Sequence, residues 1–231
     1  MSSLVDLTKK VAVILEKKEI SNARAQVGFA VDVSGSMRTL YANGTMQEVV
    51  NRIQALANKF DDNQSLDMWI FDNGSKELSP ATPEMFGNYV ENHILTNSSI
   101  SGGTDFMPVL SDVADHYFPR PKGIGFLSKL LSSKAEEPIS ADPVYLIFLT
   151  DGGNSDQVAS AKLVGELNGE NIYIQFVGLG KDANFTFIKK LAKEFDHVGF
   201  VDFSHPETTT DDQMFEALLN DKFINWVKNE Q

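Results

Sequence analysis

Short runs of apolar residues alternate with helical patterns along most of the chain. Five runs predict strands, at residues 27–33, 66–71, 144–149, 172–177 and 198–203. Near-continuous apolar runs are typical of strands that are covered on both faces, as in a parallel sheet. After the second run, Asn73 and Gly74 predict a hairpin that leads into a short antiparallel edge strand near residues 76–78.

Apolar residues spaced three and four apart predict helices between the strands. The predicted helices cover residues 4–15, 45–60, 106–117, 155–168, 185–195 and about 211–226, with a short helix at 86–94. Thr45 and Glu48 stand three residues apart, which predicts a capping box at the start of the second helix. The helix over 106–117 is expected to open at Thr104 or Asp105.

Strands that alternate with helices predict an α/β fold. We expect a doubly wound, mostly parallel central sheet with one short antiparallel edge strand and helices on both faces. Residues 1–24 are expected to form a helical extension that packs on a single domain over residues 25–231. The segment 119–143 holds four prolines and two glycines, so we expect a Pro-rich surface insertion there and not a second domain.

The charge balance argues against two classes of partner. The 231 residues include 20 Lys and Arg against 32 Asp and Glu, a formal charge of -12. Nucleic-acid binders normally carry a basic patch, and binding to anionic lipid needs cationic residues, so neither partner is expected. Asp61, Asp62, Asp211 and Asp212 are expected to be solvated charges, with Asp211 or Asp212 capping the last helix.

The absence of cysteine removes a further set of functions. With no Cys in the chain, thiolate catalysis, Cys-based zinc sites and disulfides are excluded. The first ten residues contain no apolar core of a signal peptide, and no run approaches the roughly 20 apolar residues that a membrane span needs. We therefore expect a cytoplasmic protein that does not bind membranes.

Three loops at the carboxyl ends of predicted strands, or just before a helix, carry hydroxyl and carboxylate side chains. The first holds Asp32, Ser34 and Ser36, the second Thr104, and the third Asp151. In a doubly wound sheet ligands bind at this edge. Hard oxygen ligands suit Mg²⁺, Mn²⁺ or Ca²⁺ and argue against zinc. Two carboxylates only balance a divalent cation, which favours Mg²⁺ or Mn²⁺ over Ca²⁺ and leaves a replaceable water.

The same stretches resemble a known family. Residues 32–37, 101–105 and 150–152 resemble the metal-ion-dependent adhesion site (MIDAS) of von Willebrand factor A (vWA) domains. Residues 40–45, 60–62, 67–71 and 175–180 are similar to the bacterial tellurium-resistance TerF-like branch of that family. The resemblance extends over about residues 25–227 and implies a role in tellurium resistance or a stress response.

The resemblance also implies a role for each candidate ligand. Ser34, Ser36 and Thr104 would ligate the metal through their hydroxyls, with Thr104 acting through water in some members. Asp32 and Asp151 would act mainly through water. One coordination position would then remain for an acidic residue of a protein partner, which makes the chain a metal-ion-dependent protein-binding module and not an enzyme.

Two other functions remain open. A metal-dependent phosphohydrolase-type enzyme would use an aspartate at a strand end beside Mg²⁺. Such sites need a second acidic residue at the position that Ser34 occupies, and a lysine to hold the phosphoryl group, which the three loops lack. Asp105 is the one spare carboxylate in these loops that could act as a general base. The third function is a scaffold with a vestigial metal site, against which the complete set of five ligands argues.

Overall fold

A six-stranded sheet forms the centre of the protein. The computed structural model describes residues 2–119, 142–181 and 183–230. The strands lie in the order β3-β2-β1-β4-β5-β6, and every neighbouring pair is parallel except β2 with β3. They are β1 (Gln26–Asp32), β2 (Leu66–Phe71), β3 (Ser75–Ala81), β4 (Val144–Thr150), β5 (Ile172–Leu179) and β6 (Val198–Phe203). The predicted mostly parallel sheet with one antiparallel edge strand is confirmed.

Helices cover both faces of this sheet. They are α1 (Leu4–Lys17), α2 (Arg38–Ala42), α3 (Thr45–Phe60), α4 (Met107–Tyr117), α5 (Gln157–Leu167), α6 (Thr186–Glu194), α7 (Asp211–Leu218) and α8 (Asp221–Glu230). Residues of α1, α3, α7 and α8 share one hydrophobic core with the sheet, and residues of α4, α5 and α6 share the other. The helices therefore lie on both faces, as a doubly wound fold requires.

Alternation along the strands explains why both cores form. Phe29 and Val31 of β1 point into the core under α1 and α3, whereas Ala30 between them points into the opposite core. All of β4 is buried, and Tyr145 and Leu146 again divide between the two cores. The apolar runs in the sequence are continuous because neither face of these strands meets water.

The chain reverses its direction across the sheet between β1 and β4. Strand β1 pairs in parallel with β2 on one side and with β4 on the other. From β1 the chain proceeds outward to β2 and β3, and it then returns to start β4 next to β1. Ligands of doubly wound proteins bind in the crevice that such a reversal leaves. Asp32 and Thr150, the last residues of the two strands, border that crevice.

Several local expectations are wrong or lie outside the described residues. Thr45 does not begin a capping box, because Gly44 with its positive φ of 82° is the N-cap of α3 and Thr45 already lies in the first turn. The short helix α2 lies in the polar stretch that precedes it, where the sequence predicted no element. The short helix expected at 86–94 is a π-helix that begins later, at Val90, and ends at Ile94, with a 3₁₀ turn (Pro83–Met85) before it. Residues 120–141, nearly all of the expected Pro-rich insertion, are not among those described.

The end of the chain forms two helices where one was expected. Asn220 separates them, since its Oδ1 accepts hydrogen bonds from the backbone N–H groups of Lys222 and Phe223 and so caps α8. Thr210 caps α7 and forms a capping box with Gln213, which corrects the expected cap by Asp211 or Asp212.

Asp211 is not a solvated charge. Its side chain is only 14% exposed, and it accepts hydrogen bonds from Arg52 Nε at 2.8 Å and from Lys10 Nζ at 2.8 Å. Burial by itself would raise the pKa of Asp211, but the hydrogen bonds from Lys10 and Arg52 outweigh burial and hold it below its usual value. This ion-pair cluster ties α1 and α3 to the start of α7.

We expect the Asp211→Asn substitution to lower the free energy of unfolding by about 1–3 kcal/mol, because it leaves the buried Arg52 without its carboxylate. The exposed neighbour supplies the control, and Asp212→Asn should change stability by no more than about 0.5 kcal/mol. Because the pKa of Asp211 is lowered in the folded state, its contribution to the free energy of unfolding is present above pH about 4 and is lost as the pH falls further. Urea unfolding at several pH values measures both effects, and an equal loss in the two variants would contradict the assignment.

Candidate metal centre

Asp32 lies at the centre of the crevice and is fully buried. One carboxylate oxygen accepts a hydrogen bond from the backbone N–H of Ser34 at 2.7 Å, and the other accepts one from the hydroxyl of Thr150 at 2.7 Å. Burial raises the pKa of Asp32 to about 6, although the bonds from Ser34 and Thr150 oppose that shift. A cation beside this carboxylate would offset the cost of burying its charge.

Ser34, Ser36 and Asp151 continue outward from Asp32 as a chain of hydrogen bonds. The hydroxyl oxygens of Ser34 and Ser36 are 3.2 Å apart, and Ser36 donates to Oδ1 of Asp151 at 2.8 Å. Burial raises the pKa of Asp151, and the bond from Ser36 lowers it in part. Ser34 has an extended backbone, whereas Ser36 lies inside the 3₁₀ turn (Gly35–Met37) that follows it.

Thr104 reaches the same edge through its backbone. Its carbonyl oxygen accepts a hydrogen bond from the backbone N–H of Ser155 at 3.0 Å. The residues before Thr104 hold its loop against the loop that carries Ser34 and Ser36. The Ser101 N–H donates to the Val33 carbonyl at 3.0 Å, and the Gly35 N–H donates to the Gly102 carbonyl at 3.2 Å. In the described part of the chain, the Thr104 hydroxyl makes no hydrogen bond to the other four candidates.

Hydrogen bonds thus join the side chains of Ser34, Ser36 and Asp151 and tie the Asp32 carboxylate to the backbone of Ser34. Of the fifth predicted residue, Thr104, it is the backbone that is held near this edge. The helix after Thr104 opens later than expected, at Met107, so Thr104 is not its cap. Two supporting residues lie outside the predicted set: Thr150, which donates to the Asp32 carboxylate, and Tyr41, whose hydroxyl donates to the Asp32 carbonyl at 3.0 Å. The sequence signal for Thr150 is its place beside Asp151, whereas nothing in the sequence pairs Tyr41 with Asp32.

The donor set fits a hard divalent cation. Across residues 2–119, 142–181 and 183–230, no group of three or more His, Cys, Asp or Glu side chains could hold a metal ion. A metal centre in this part of the chain would therefore need oxygen ligands of other kinds, and the hydroxyls of the two serines beside Asp32 and Asp151 could supply them. Carboxylate, hydroxyl and water oxygens are the ligands that Mg²⁺ and Mn²⁺ accept.

The fold is that of a von Willebrand factor A domain. A family model named vWA-TerF-like, and described as the vWA domain found in the TerF C terminus, matches residues 24–231. The chain belongs to this family, whose members are often metal-dependent modules for protein interaction. Helix α1 precedes the matched residues.

Individual relatives agree with this assignment. The chain is 36% identical to the uncharacterised protein YcbR of Bacillus subtilis, over 97% of this chain and 86% of that protein. Proximal thread matrix protein 1 from the mussel byssus, in a structure with a zinc-occupied MIDAS motif, is 16% identical with a TM-score of 0.58. A von Willebrand factor type A protein from Catenulispora acidiphila is 15% identical with a TM-score of 0.57.

These two solved structures show the shared fold. The alignments cover 85% and 84% of this chain, which spans about half the length of the mussel chain (48%) and less of the Catenulispora chain (41%).

In the described residues no helix is long and apolar enough to cross a membrane.

We expect Asp32→Asn to separate metal binding from folding. In metal-free buffer this variant should be as stable as the wild type or more stable, because a buried charge is removed while the side chain keeps its shape. Mg²⁺ at about 100 times its dissociation constant should stabilise the wild type by about 2.7 kcal/mol and leave the variant unchanged.

Asp202→Asn is the matched control for this experiment. Asp202 is exposed and lies near the end of β6, so its loss should leave the Mg²⁺ response intact. Thermal unfolding with and without Mg²⁺ measures all three proteins. The same Mg²⁺ response in Asp32→Asn as in the wild type would rule out Asp32 as part of the centre.

Proposed function

We propose that this protein is a protein-binding module that presents Mg²⁺ or Mn²⁺ to an acidic residue of a partner. Asp32, Ser34, Ser36, Thr104 and Asp151 would hold the cation, and the partner's carboxylate would complete its coordination. The observation that carries this proposal is the hydrogen-bonded chain from Asp32 through the two serines to Asp151, in the crevice between β1 and β4. The family to which the chain belongs supports the same function.

Charge explains why such a centre would bind an acid. Asp32 and Asp151 together only neutralise a divalent cation, so a partner's carboxylate would bring the net charge of the site to no more than about -1. The whole protein carries a formal charge of -12, which repels an acidic partner at long range. The cation supplies the local attraction, and binding should depend on it entirely.

The hydrogen bonds of Asp105 favour binding over catalysis. Its Oδ2 accepts a bond from Asn73 Nδ2 at 3.0 Å, and its Oδ1 accepts one from the hydroxyl of Ser155. A general base must lie within hydrogen-bond reach of the proton that it removes, whereas these bonds tie the side chain of Asp105 to neighbouring loops. We therefore propose a module without enzymatic activity, whose metal site is functional and not vestigial.

The cellular setting belongs to the proposal as well. The description of the matching family, a vWA domain of the TerF C terminus, supports a role in tellurium resistance or a stress response. The chain lacks cysteine, which agrees with the reducing conditions of a bacterial cytoplasm. Growth of a deletion strain in tellurite, compared with the complemented strain, tests that role separately from metal binding.

The central test measures metal and partner binding in the same variants. Calorimetry should show one site for Mg²⁺ and Mn²⁺ in the metal-free wild type and none in Asp32→Ala, with Zn²⁺ titrated as the competitor that the mussel protein suggests. A partner captured from cell extract should be released by a chelator, return with Mg²⁺, and be absent from Asp32→Ala but present with Asp202→Asn. Replacing the partner's contacting Asp or Glu with its amide should abolish capture.

Two outcomes would overturn the proposal. Equal heats from the wild type and Asp32→Ala, or none from either, would refute the metal centre. Turnover of a phosphoester such as p-nitrophenyl phosphate by the purified protein, abolished in Asp32→Ala, would replace the binding module with the phosphohydrolase-type enzyme.

A further inference from the structure

The loop that carries Thr104 is held on one side by the β2–β3 hairpin turn. Asn73 in that turn accepts a hydrogen bond from Gly103 N–H at 2.7 Å through its Oδ1, and its Nδ2 donates to Asp105 at 3.0 Å. The backbone of Asp105 also donates to the Asp72 carbonyl at 2.8 Å. Asn73 therefore binds the residue before Thr104 and the residue after it, and within the described residues its side chain forms no hydrogen bond with the candidate ligands themselves.

The other side of the loop is held by the segment that follows Asp151. Ser155 donates from its backbone to the Thr104 carbonyl at 3.0 Å and from its hydroxyl to the Asp105 carboxylate. Asp156 accepts the backbone N–H groups of Phe106 at 3.0 Å and of Met107 at 2.7 Å, one on each carboxylate oxygen. The first amides of α4 are thus capped by a residue 50 positions away in the sequence, because Phe106 at the N-cap has no side-chain cap of its own.

We propose that Asn73, Asp105, Ser155 and Asp156 form a positioning unit, the Thr104 bracket, that sets the metal affinity of the centre without touching the metal. This inference rests on the proposed function. The Thr104 loop begins with two glycines, of which Gly102 has a positive φ of 89°, so its local sequence restrains it little. Asn73 supplies part of that restraint from the hairpin, and Ser155 and Asp156 supply the rest from the segment that follows Asp151. The position of Thr104 is thereby linked to that of Asp151.

The expected size of the effect follows from comparable metal sites. Residues that orient metal ligands without touching the metal commonly change metal affinity 10- to 100-fold when they are replaced. Asp156→Asn keeps one acceptor oxygen and loses the second, so we expect Mn²⁺ affinity to fall about 10-fold. Asp115→Asn, the same chemical change at an exposed position of α4, should leave Mn²⁺ affinity within twofold of the wild type.

A double-mutant cycle separates positioning from general destabilisation. Mn²⁺ affinity is measured by calorimetry in the wild type, Asp156→Asn, Thr104→Ala and the double variant, with thermal stability measured in parallel. If the bracket acts through the Thr104 hydroxyl, Asp156→Asn should weaken Mn²⁺ binding in the wild type and change it by less than twofold in the Thr104→Ala background. Its effect on thermal stability should be the same in both backgrounds.

Ser155→Ala provides a second cycle if Asp156→Asn does not fold, since it removes only the hydroxyl that binds Asp105 at an exposed position. Equal weakening of Mn²⁺ binding in both backgrounds, or no weakening in either, would overturn the bracket while the metal centre stands. Failure of the wild type itself to bind Mn²⁺ would overturn the proposed function and the bracket with it.

Discussion

The parallel pairing of β1 with β4 is the interaction on which the candidate centre depends. It places Thr150 of β4 where its hydroxyl reaches the carboxylate of Asp32 at the end of β1. A fully buried carboxylate is stable only when its oxygens have hydrogen-bond partners, and one of the two partners of Asp32 comes from β4. The same pairing forms the crevice in which Ser36 meets Asp151, so the fold and the site have a common origin.

The centre combines rigid and less rigid parts. Asp32 extends from the buried middle of the sheet, whereas Ser36, Thr104 and Asp151 lie on loops that are restrained by hydrogen bonds between them. Sites on strands are positioned more precisely than sites on loops, so ligands on loops need supporting contacts. In this protein those contacts come from the β2–β3 hairpin and from the segment before α5. Two segments far apart in the sequence thereby hold Thr104, the candidate ligand whose side chain forms no hydrogen bond with the other four among the described residues.

The acidic residues serve at least three different purposes. Asp32 and Asp151 belong to the candidate centre, and Asp211 neutralises Arg52 and Lys10 between three helices. Asp105 and Asp156 accept hydrogen bonds that hold loops and a helix end in place. The acidic residues are therefore more than a solvated surface, because individual carboxylates hold loops in place at the sheet edge that carries the candidate centre.

Element type and the doubly wound fold class could be predicted from the sequence because they follow from short-range patterns. Apolar runs predicted the strands, and apolar residues spaced three and four apart predicted the helices. The alternation of strands with helices predicted the doubly wound sheet. Helix ends were predicted less well. Thr45 and Glu48 match a capping box, but the turn at Gly44 places Thr45 inside the helix. The break between α7 and α8 is accompanied by a tertiary hydrogen bond between Asn220 and Gln175.

The candidate chemistry follows from the residues alone: a set of oxygen donors on loops at one sheet edge, in a chain without thiols and with excess acid. How these donors meet depends on tertiary packing. Hydrogen bonds between Ser36 and Asp151, or between Asp156 and the start of α4, join residues 115 and 50 positions apart. Local patterns carry no information about such pairs, because the distance between two loops is set by the packing of the strands and helices that bear them.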